Sequence, residues 1–206
     1  DPYSEAEAGT WKTIIEWVAN RTSSKSGVAM GKDPIWMYMA IAGEPEANVP
    51  HDKLAAFYAR IAAQWKALSD IPVTTGGLLH YGQGMWYEGF AERLAREKIV
   101  DFISLHAYSD SDFTALPGLT QRVHQLGQAV AMEETGVRWD NGDSGDHGSK
   151  DDDKYAALLA ARLATVAKSG ADLIGLWNLG GDAKAGYAVD VPDDDSAIFQ
   201  GCHVSP

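Results

Sequence analysis

The stretch AVAMEETG at residues 129–136 is a short apolar run that ends in carboxylates. A nearly continuous apolar run of this length is typical of a strand that is buried on both faces, as in a parallel sheet. Five runs of this kind are predicted to be strands, and they occupy residues 34–41, 73–77, 101–108, 129–134 and 173–178.

Amphipathic segments separate the predicted strands. Within residues 52–68, for example, Leu54, Phe57, Ile61 and Trp65 fall on one helical stripe. Helices are predicted at residues 6–20, 52–68, 87–98, 119–126 and 154–168. The alternation of strands and helices predicts an α/β fold that is built around a parallel sheet.

Each predicted strand has, at or just after its C-terminal end, a residue able to bind a ligand or to do chemistry. These residues are Glu44, His80, His106 with Tyr108, Glu134 and Trp177. In parallel α/β barrels the C-terminal ends of the strands meet at one face, and functional sites collect there. The sequence therefore predicts a site at this face.

Composition excludes some classes of partner. The 206 residues include 17 Lys and Arg against 29 Asp and Glu, for a formal net charge of −12. Binding to nucleic acid depends on basic side chains that displace counterions, so we expect no nucleic-acid partner. No apolar run reaches the length of a membrane span, so we expect no membrane partner. The surface suits a neutral ligand, and the single cysteine, Cys202, cannot form an internal disulfide.

Glu44 and Glu134 end different predicted strands, and glycoside hydrolysis needs such a pair. One carboxylic acid protonates the departing oxygen, while the other carboxylate attacks the anomeric carbon or activates a water. Either residue alone could be an ordinary solvated glutamate, but the strand positions and the nearby aromatic residues favour a catalytic pair. Glu133 is expected to point to the other face of its strand, because successive side chains alternate.

Residues 11–45 resemble the region around the fourth strand of clan A glycoside hydrolases, most closely family 5, the cellulases and β-mannanases. In that family the strand ends in Asn-Glu-Pro, whose Glu is the acid/base, and here Gly43-Glu44-Pro45 stands in that place. Gly43 thus replaces an Asn that typically contacts the sugar 2-hydroxyl, and the resemblance implies that this contact is missing.

Three further segments extend the resemblance. Glu134-Thr135-Gly136 matches the Glu-x-Gly of the seventh strand, which implies that Glu134 is the nucleophile. His106-Ala107-Tyr108 matches the His-x-Tyr that often ends the sixth strand and lines the cleavage subsite. Trp177 resembles the Trp that lies under the sugar, since sugar C–H faces pack on aromatic rings. His80 and Trp86, around the fifth-strand loop, are candidates for substrate contact. The alternatives are a core histidine at position 106 and plain core packing at position 177.

The resemblance implies a partial TIM (β/α) barrel, with five parallel strands that resemble strands 4 to 8, as one catalytic domain over residues 1–206. A complete barrel needs eight strands and typically about 250 residues, so counterparts of the first three strands are absent. The family's Arg that supports the nucleophile cannot be assigned. The chain could be a fragment, a partner-completed barrel or an incomplete barrel with loop-covered edges. We expect a homo-oligomer or a complementary N-terminal chain, because exposed strand edges favour pairing.

The expected function is cleavage of a β-1,4-linked polysaccharide (cellulose, β-glucan or mannan) by a retaining mechanism that needs no metal or cofactor. We expect a secreted, extracellular protein. The alternatives are a non-catalytic carbohydrate-binding remnant and a different enzyme on the same fold, for which a metal between His106 and Glu134 would be the sign. The acidic stretch 140–153 is expected to be a solvated loop, although such oxygen-rich spacing could bind Ca²⁺.

Overall fold

A computed structural model of the chain describes residues 1–45, 49–137 and 152–176. The helices are α1 (Pro2–Glu7), α2 (Thr10–Asn20), α3 (His51–Lys66), α4 (Phe90–Glu97), α5 (Asp110–Gln125) and α6 (Asp152–Lys168), with a 3₁₀ turn at Met30–Lys32. The strands are β1 (Met39–Ala40), β2 (Val73–Thr74), β3 (Ile103–Ala107), β4 (Val130–Thr135) and β5 (Leu173–Leu176). No helix within the described ranges is long and apolar enough to cross a membrane.

The five strands are parallel and follow one another in chain order. β1 pairs with β2, and β3, β4 and β5 pair in turn. Two single parallel bridges, Thr74 to Phe102 and Leu78 to Leu105, connect the β2 segment to β3. This sequence of parallel neighbours with helical crossovers confirms the predicted α/β class.

The core lies between the strands and the helices that cross over them. Every residue of β3 is buried, so both faces of this strand are covered, one by helices and the other by side chains on the inner face of the sheet. Alternation of side chains places Ile103, Leu105 and Ala107 on one face and Ser104 with His106 on the other. The helices contribute large, fully buried side chains, which include Leu54, Tyr58, Phe90, Leu94, Leu116 and Leu119.

The prediction of a strand over residues 34–41 with both faces buried is wrong. Only Met39 and Ala40 form a strand, and Ile35, Trp36 and Met37 are exposed, Ile35 to 69%. The reason is position in the sheet. Within the described residues β1 pairs only with β2, so its other side is an open edge that covers none of these apolar side chains.

Two predicted helices have different bounds. The segment 6–20 is divided into α1 and α2 at Gly9, which has a φ of +82°. The helix predicted at residues 119–126 begins nine residues earlier, at Asp110, and Pro117 lies inside it. Its start is set by a capping box, in which the Ser109 hydroxyl and the Asp112 carboxylate each accept the other residue's backbone N–H.

Gly76 brings the end of β2 against the loop that follows β1. Its φ is +74°, and a Cβ built at this position would overlap the carbonyl oxygen of Ala42. A side chain is therefore excluded twice, by the backbone conformation and by the close approach of another backbone. Because Ala42 lies two residues before Glu44, this packing fixes the loop that carries Glu44.

We expect Gly76→Ala to lower the free energy of unfolding by about 2–4 kcal/mol, the sum of left-handed strain and forced overpacking. Gly84→Ala is the matched control, because Gly84 has a φ of +73° but open space where its Cβ would stand. That variant should lose only about 1 kcal/mol from strain. Urea unfolding of both variants measures the difference, and equal losses would show that the Ala42 contact is not limiting.

Candidate active site

A buried histidine lies at the centre of the polar cluster formed at the C-terminal ends of the strands. The His106 side chain is only 4% exposed, and its Nδ1 lies 2.8 Å from Glu44 Oε1 and 3.5 Å from Glu134 Oε2. Its other nitrogen, Nε2, lies 4.0 Å from Glu133 Oε2. Three carboxylates from two strand ends thus surround one imidazole ring.

Glu44 is the most accessible member of the cluster, with 48% of its side chain exposed. It lies in the loop after β1, and the next residue in this loop, Pro45, is held by a hydrogen bond. The Tyr87 hydroxyl donates a hydrogen bond of 2.6 Å to the carbonyl oxygen of Pro45. With Gly76 on one side and Tyr87 on the other, the backbone that carries Glu44 is fixed at two points.

Glu134 lies in β4 and is hydrogen-bonded to Tyr108. The Tyr108 hydroxyl donates a bond of 2.9 Å to Glu134 Oε2, and its ring meets the His106 ring edge to face at 6.3 Å. Within the described residues no hydrogen bond engages the second carboxylate oxygen of Glu134, whose side chain is about a quarter exposed. Glu44, His106, Tyr108 and Glu134, all predicted site residues, therefore lie together.

A register shift in the sheet brings Glu133 into the same cluster. Leu105 pairs with Met132, but the next residue, His106, pairs with Glu134, so Glu133 has no partner on β3. The expectation that Glu133 points to the opposite face is wrong for this reason. A β-bulge adds a residue to one strand and interrupts the alternation of faces, so that two successive side chains approach the same ring.

Gly77 makes room for the His106 ring. A Cβ built at Gly77 would overlap the Cδ2, Cε1 and Nε2 atoms of the ring. The imidazole therefore packs directly on the backbone at the end of β2, which accounts for its burial and fixes its plane. No side chain larger than hydrogen fits at this position without displacing the histidine.

The separation of Glu44 and Glu134 is the distance that matters for hydrolysis. One ligand atom each from Glu44, His106 and Glu134 lie within 4.8 Å of one another. Retaining glycosidases hold their two carboxyl groups about 5–5.5 Å apart, whereas inverting enzymes need about 6.5–9.5 Å to accommodate a water. An oxygen of Glu44 and an oxygen of Glu134 thus approach more closely than the separation of inverting enzymes, and the arrangement is compatible with the retaining class. The same three atoms are also close enough to share a metal ion, although glycoside hydrolysis does not need one.

Charge in the cluster is unbalanced. Among the residues that the structure describes, no Lys or Arg is paired with Glu44, Glu133 or Glu134, and His106 is their only basic neighbour. Burial raises the pKa of Glu133, and the charge of Glu134 adds to this, while His106 and the hydroxyls of Tyr38 and Ser104 oppose it. Burial and the neighbouring Glu133 raise the pKa of Tyr38 to about 12.

His80 and Trp86 lie together but not in the cluster. Their rings meet edge to face at 4.9 Å, and Trp86 is about half exposed. His80 has a φ of +53°, and its backbone N–H donates to Asp112 at 2.9 Å. In the part of the chain that the structure describes, no hydrogen bond or ion pair joins them to His106, Glu44 or Glu134. Trp177 and residues 140–151 of the acidic stretch lie outside the described residues.

Sequence reasoning missed Glu133, Tyr38 and Gly77 as parts of the site. For Gly77 a signal existed, because paired glycines at the end of a predicted strand indicate a close approach of another group. Glu133 gave no such signal, since a bulge depends on the partner strand and cannot be identified from one strand's sequence. Tyr38 was assigned to a strand interior, and its contact with Glu133 is a tertiary feature.

Comparison with known proteins gives the fold. No family model matches this chain, and neither does any curated protein. Among solved structures, the chain is similar to an endo-1,4-β-mannanase from Rhizomucor miehei, with a TM-score of 0.73 and 19% identity over 94% of this chain and 59% of that one. The chain shares the fold of mannanases.

Two other solved structures agree with this result. An endo-β-1,4-mannanase from Thermotoga petrophila has a TM-score of 0.70 and 16% identity, over 97% of this chain and 50% of that chain. A glycoside hydrolase family 5 mannosidase from Rhizomucor miehei has a TM-score of 0.58 and 18% identity, over 87% and 48% of the two chains. This chain spans about half to three fifths of their lengths, which confirms the predicted partial barrel.

The raised pKa of Glu133 predicts how stability depends on pH. A raised pKa means that the folded state holds the proton more tightly than the unfolded state does. The contribution of this group to stability is therefore complete at low pH and is lost as the pH rises through the folded-state pKa. A Gln side chain does not titrate and so does not lose this contribution as the pH rises. We therefore expect Glu133→Gln to be more stable than the wild type at pH 7, with the difference vanishing towards pH 4.

Urea unfolding of both proteins between pH 4 and pH 8 tests this expectation. Glu7→Gln is the control, because Glu7 is exposed on α1 and its substitution should not change the pH dependence. A Glu133→Gln variant that is less stable than the wild type at pH 7 would mean that the charged carboxylate is well paired after all.

Proposed function

We propose that this chain carries the catalytic carboxylates of a retaining β-glycoside hydrolase. The observation that carries the proposal is the approach of Glu44 and Glu134 to within 4.8 Å at the C-terminal ends of parallel strands. The fold shared with mannanases supports it, and so does the polar cluster around His106. In this proposal the chain, residues 1–206, is the partial barrel that bears the catalytic site.

The proposed reaction has two steps. In the first, Glu134 attacks the anomeric carbon while the Glu44 carboxylic acid gives its proton to the departing glycosidic oxygen. In the second, Glu44, now a carboxylate, takes a proton from a water that releases the sugar from Glu134. The Tyr108 hydrogen bond orients Glu134 for attack, and the half-exposed position of Glu44 gives it access to the leaving group and the water.

The proposed substrate is a β-1,4-linked polysaccharide, with mannan placed ahead of cellulose and β-glucan because the similar structures are mannanases. His106 and Tyr108 would line the subsite where cleavage occurs. Trp177, His80 and Trp86 remain proposed contacts along the sugar chain, since aromatic rings pack on sugar C–H faces. A polymer of this size cannot enter a cell, so the proposed site of action is extracellular.

The proposed enzyme also needs the rest of a barrel. Ile35, Trp36 and Met37 are exposed beside the open edge of β1, and this chain spans only 50% to 59% of the similar mannanases. A second copy of the chain or a complementary N-terminal segment would cover this surface and pair with the edge. The same addition could supply a basic side chain, which the three carboxylates lack among the described residues.

A second candidate function is sugar binding without hydrolysis. It is favoured by the charge imbalance of the site, because within the described residues no Lys or Arg supports the nucleophile, and a neighbouring acid, Glu133, adds to the negative charge. The candidate retains the same aromatic contacts and the same polysaccharide. Binding without turnover distinguishes it from the proposed enzyme.

We expect release of the aryl group from aryl β-mannobioside, with weaker release from aryl β-cellobioside. Glu134→Gln should reduce this turnover by about 10³-fold or more, because it removes the nucleophile while preserving the shape of the side chain. Glu7→Gln, on an exposed helix, should keep full activity. Light scattering on the same material gives the mass of the active species.

The outcomes separate the proposals. Turnover that survives in Glu134→Gln would reject the assigned nucleophile. Folded protein that binds mannan oligosaccharides without turnover would favour the binding candidate. Full activity from a species with the mass of one chain would reject the need for a second copy or a complementary chain.

Position 43 offers a gain-of-function prediction. Space is open around a Cβ built at Gly43, and its φ is not in the left-handed region, so a larger residue fits there. We expect Gly43→Asn to leave stability within about 0.5 kcal/mol of the wild type and to raise kcat for the mannobioside, because the amide would meet the sugar 2-hydroxyl.

Gly43→Leu is the matched control for this gain, since it fills the same space with a side chain that cannot hydrogen-bond. Steady-state kinetics on both variants decides the question. A gain shared by Gly43→Leu, or no gain from Gly43→Asn, would show that no 2-hydroxyl contact is formed at this position.

A further inference from the structure

Glu133 has a place in the cluster that the proposed reaction does not use. Its Oε2 is buried and has no hydrogen-bond partner among the described residues, and it lies 4.0 Å from His106 Nε2. We propose that Glu133 is a positioning residue that keeps the His106 proton on Nε2, so that Nδ1 is left to accept a hydrogen bond from the acid form of Glu44. This inference rests on the proposed function of Glu44.

The two ring nitrogens of His106 face different groups. Nδ1 faces Glu44 at 2.8 Å and Glu134 at 3.5 Å, whereas Nε2 faces Glu133. At 4.0 Å the contact with Glu133 is longer than a hydrogen bond, so it acts through charge on a ring that has little access to water. The bulge in β4 places Glu133 there, and Gly77 holds the ring in the plane that points Nε2 towards it.

A neutral imidazole carries one N–H donor and one bare acceptor, and its surroundings decide which nitrogen is which. With the proton on Nδ1, the lone pair of Nε2 would face the negative Glu133 carboxylate, whose Oε2 has no hydrogen-bond partner among the described residues. Glu134 Oε2 faces Nδ1 at 3.5 Å, but it already accepts the Tyr108 hydroxyl, so it depends less on a proton at Nδ1. With the proton on Nε2, the N–H points at the Glu133 carboxylate, and Nδ1 becomes an acceptor. A carboxylate behind a histidine fixes the tautomer in the same way in the Ser-His-Asp triad.

The tautomer matters because Glu44 must hold a proton before the first step. A Glu44 hydroxyl at 2.8 Å from a bare Nδ1 donates a hydrogen bond, which orients the acid. When the glycosidic oxygen departs, it takes this proton as the bond from oxygen to the anomeric carbon breaks. The water of the second step returns a proton to Glu44, so that His106 ends each cycle as it began.

The energetic cost of Glu133 agrees with a functional role. Burial raises the pKa of this carboxyl group, so the charged form costs the folded protein stability. Carboxylates retained in such places are more common at functional sites than elsewhere. Tyr38 and Ser104 favour the charged form with their hydroxyls, and the charged form is the one that holds an N–H at Nε2.

Nitrogen-15 NMR of the histidine rings tests the tautomer without any need for turnover. Protonated and bare ring nitrogens resonate well apart, and loss of one set of signals in His106→Gln assigns His106 among the six histidines. We expect Nε2–H in the wild type, and a shift of population towards Nδ1–H in both Glu133→Gln and Glu133→Met. The same tautomer in all three proteins would overturn the proposal, and Glu7→Gln should match the wild type.

Kinetics with two leaving groups tests the consequence for Glu44. The dinitrophenolate of a dinitrophenyl β-mannobioside departs without a proton. The sugar oxygen that departs from a mannan oligosaccharide needs one. We expect Glu133→Met to slow cleavage of the oligosaccharide on the order of 10-fold, which is a part of the usual general-acid contribution. Cleavage of the dinitrophenyl substrate should be nearly unaffected. Equal losses on both substrates would indicate a merely structural role and would overturn the proposal. If the wild type cleaves neither substrate, the proposed function fails, and the NMR result alone decides the role of Glu133.

Discussion

The site depends on one interruption of the sheet, the register shift between β3 and β4. With a regular ladder, residues 133 and 134 would face opposite sides, and only one carboxylate would reach the inner face. The shift pairs His106 with Glu134 and leaves Glu133 without a partner, so both acids approach one imidazole. Glu44 arrives from a different strand end and completes the set of three around a ring that is almost fully buried.

Close backbone packing makes this arrangement possible. His106 could not lie in the inner layer if the neighbouring strand carried a side chain at Gly77, and the Glu44 loop could not lie so near β2 if Gly76 carried one. The loop is held from its other side by Tyr87. The acids therefore lie either in a strand or in a loop that is held by close packing and a hydrogen bond, which is what a site with fixed carboxylate spacing requires.

How well each element could be predicted from sequence depends on how local its cause is. β3 and β4 were predicted because a strand buried on both faces must be apolar along its whole length. The segment before Met39 has the same apolar character but lies at an open edge, and composition does not distinguish an edge from a centre. Glu44, His106, Tyr108 and Glu134 were grouped because parallel strands end at one face. Glu133 was misplaced because a bulge is a property of two strands together.

Among the described residues, the open edge of the sheet and the excess of carboxylates lie at the same place. Glu44 follows β1, and β1 is the strand whose outer side has no neighbour within the described residues. Any strand that pairs with this edge would end at the same face of the barrel and would place its own terminal side chains next to Glu44. The charges of the three carboxylates repel one another more strongly when the site is closed off from water, because the effective dielectric constant is then lower. A segment that paired with this edge would thus lie close enough to Glu44 to contribute a positive charge to the cluster, so in the proposed enzyme closure of the barrel and charge balance at the site would be coupled.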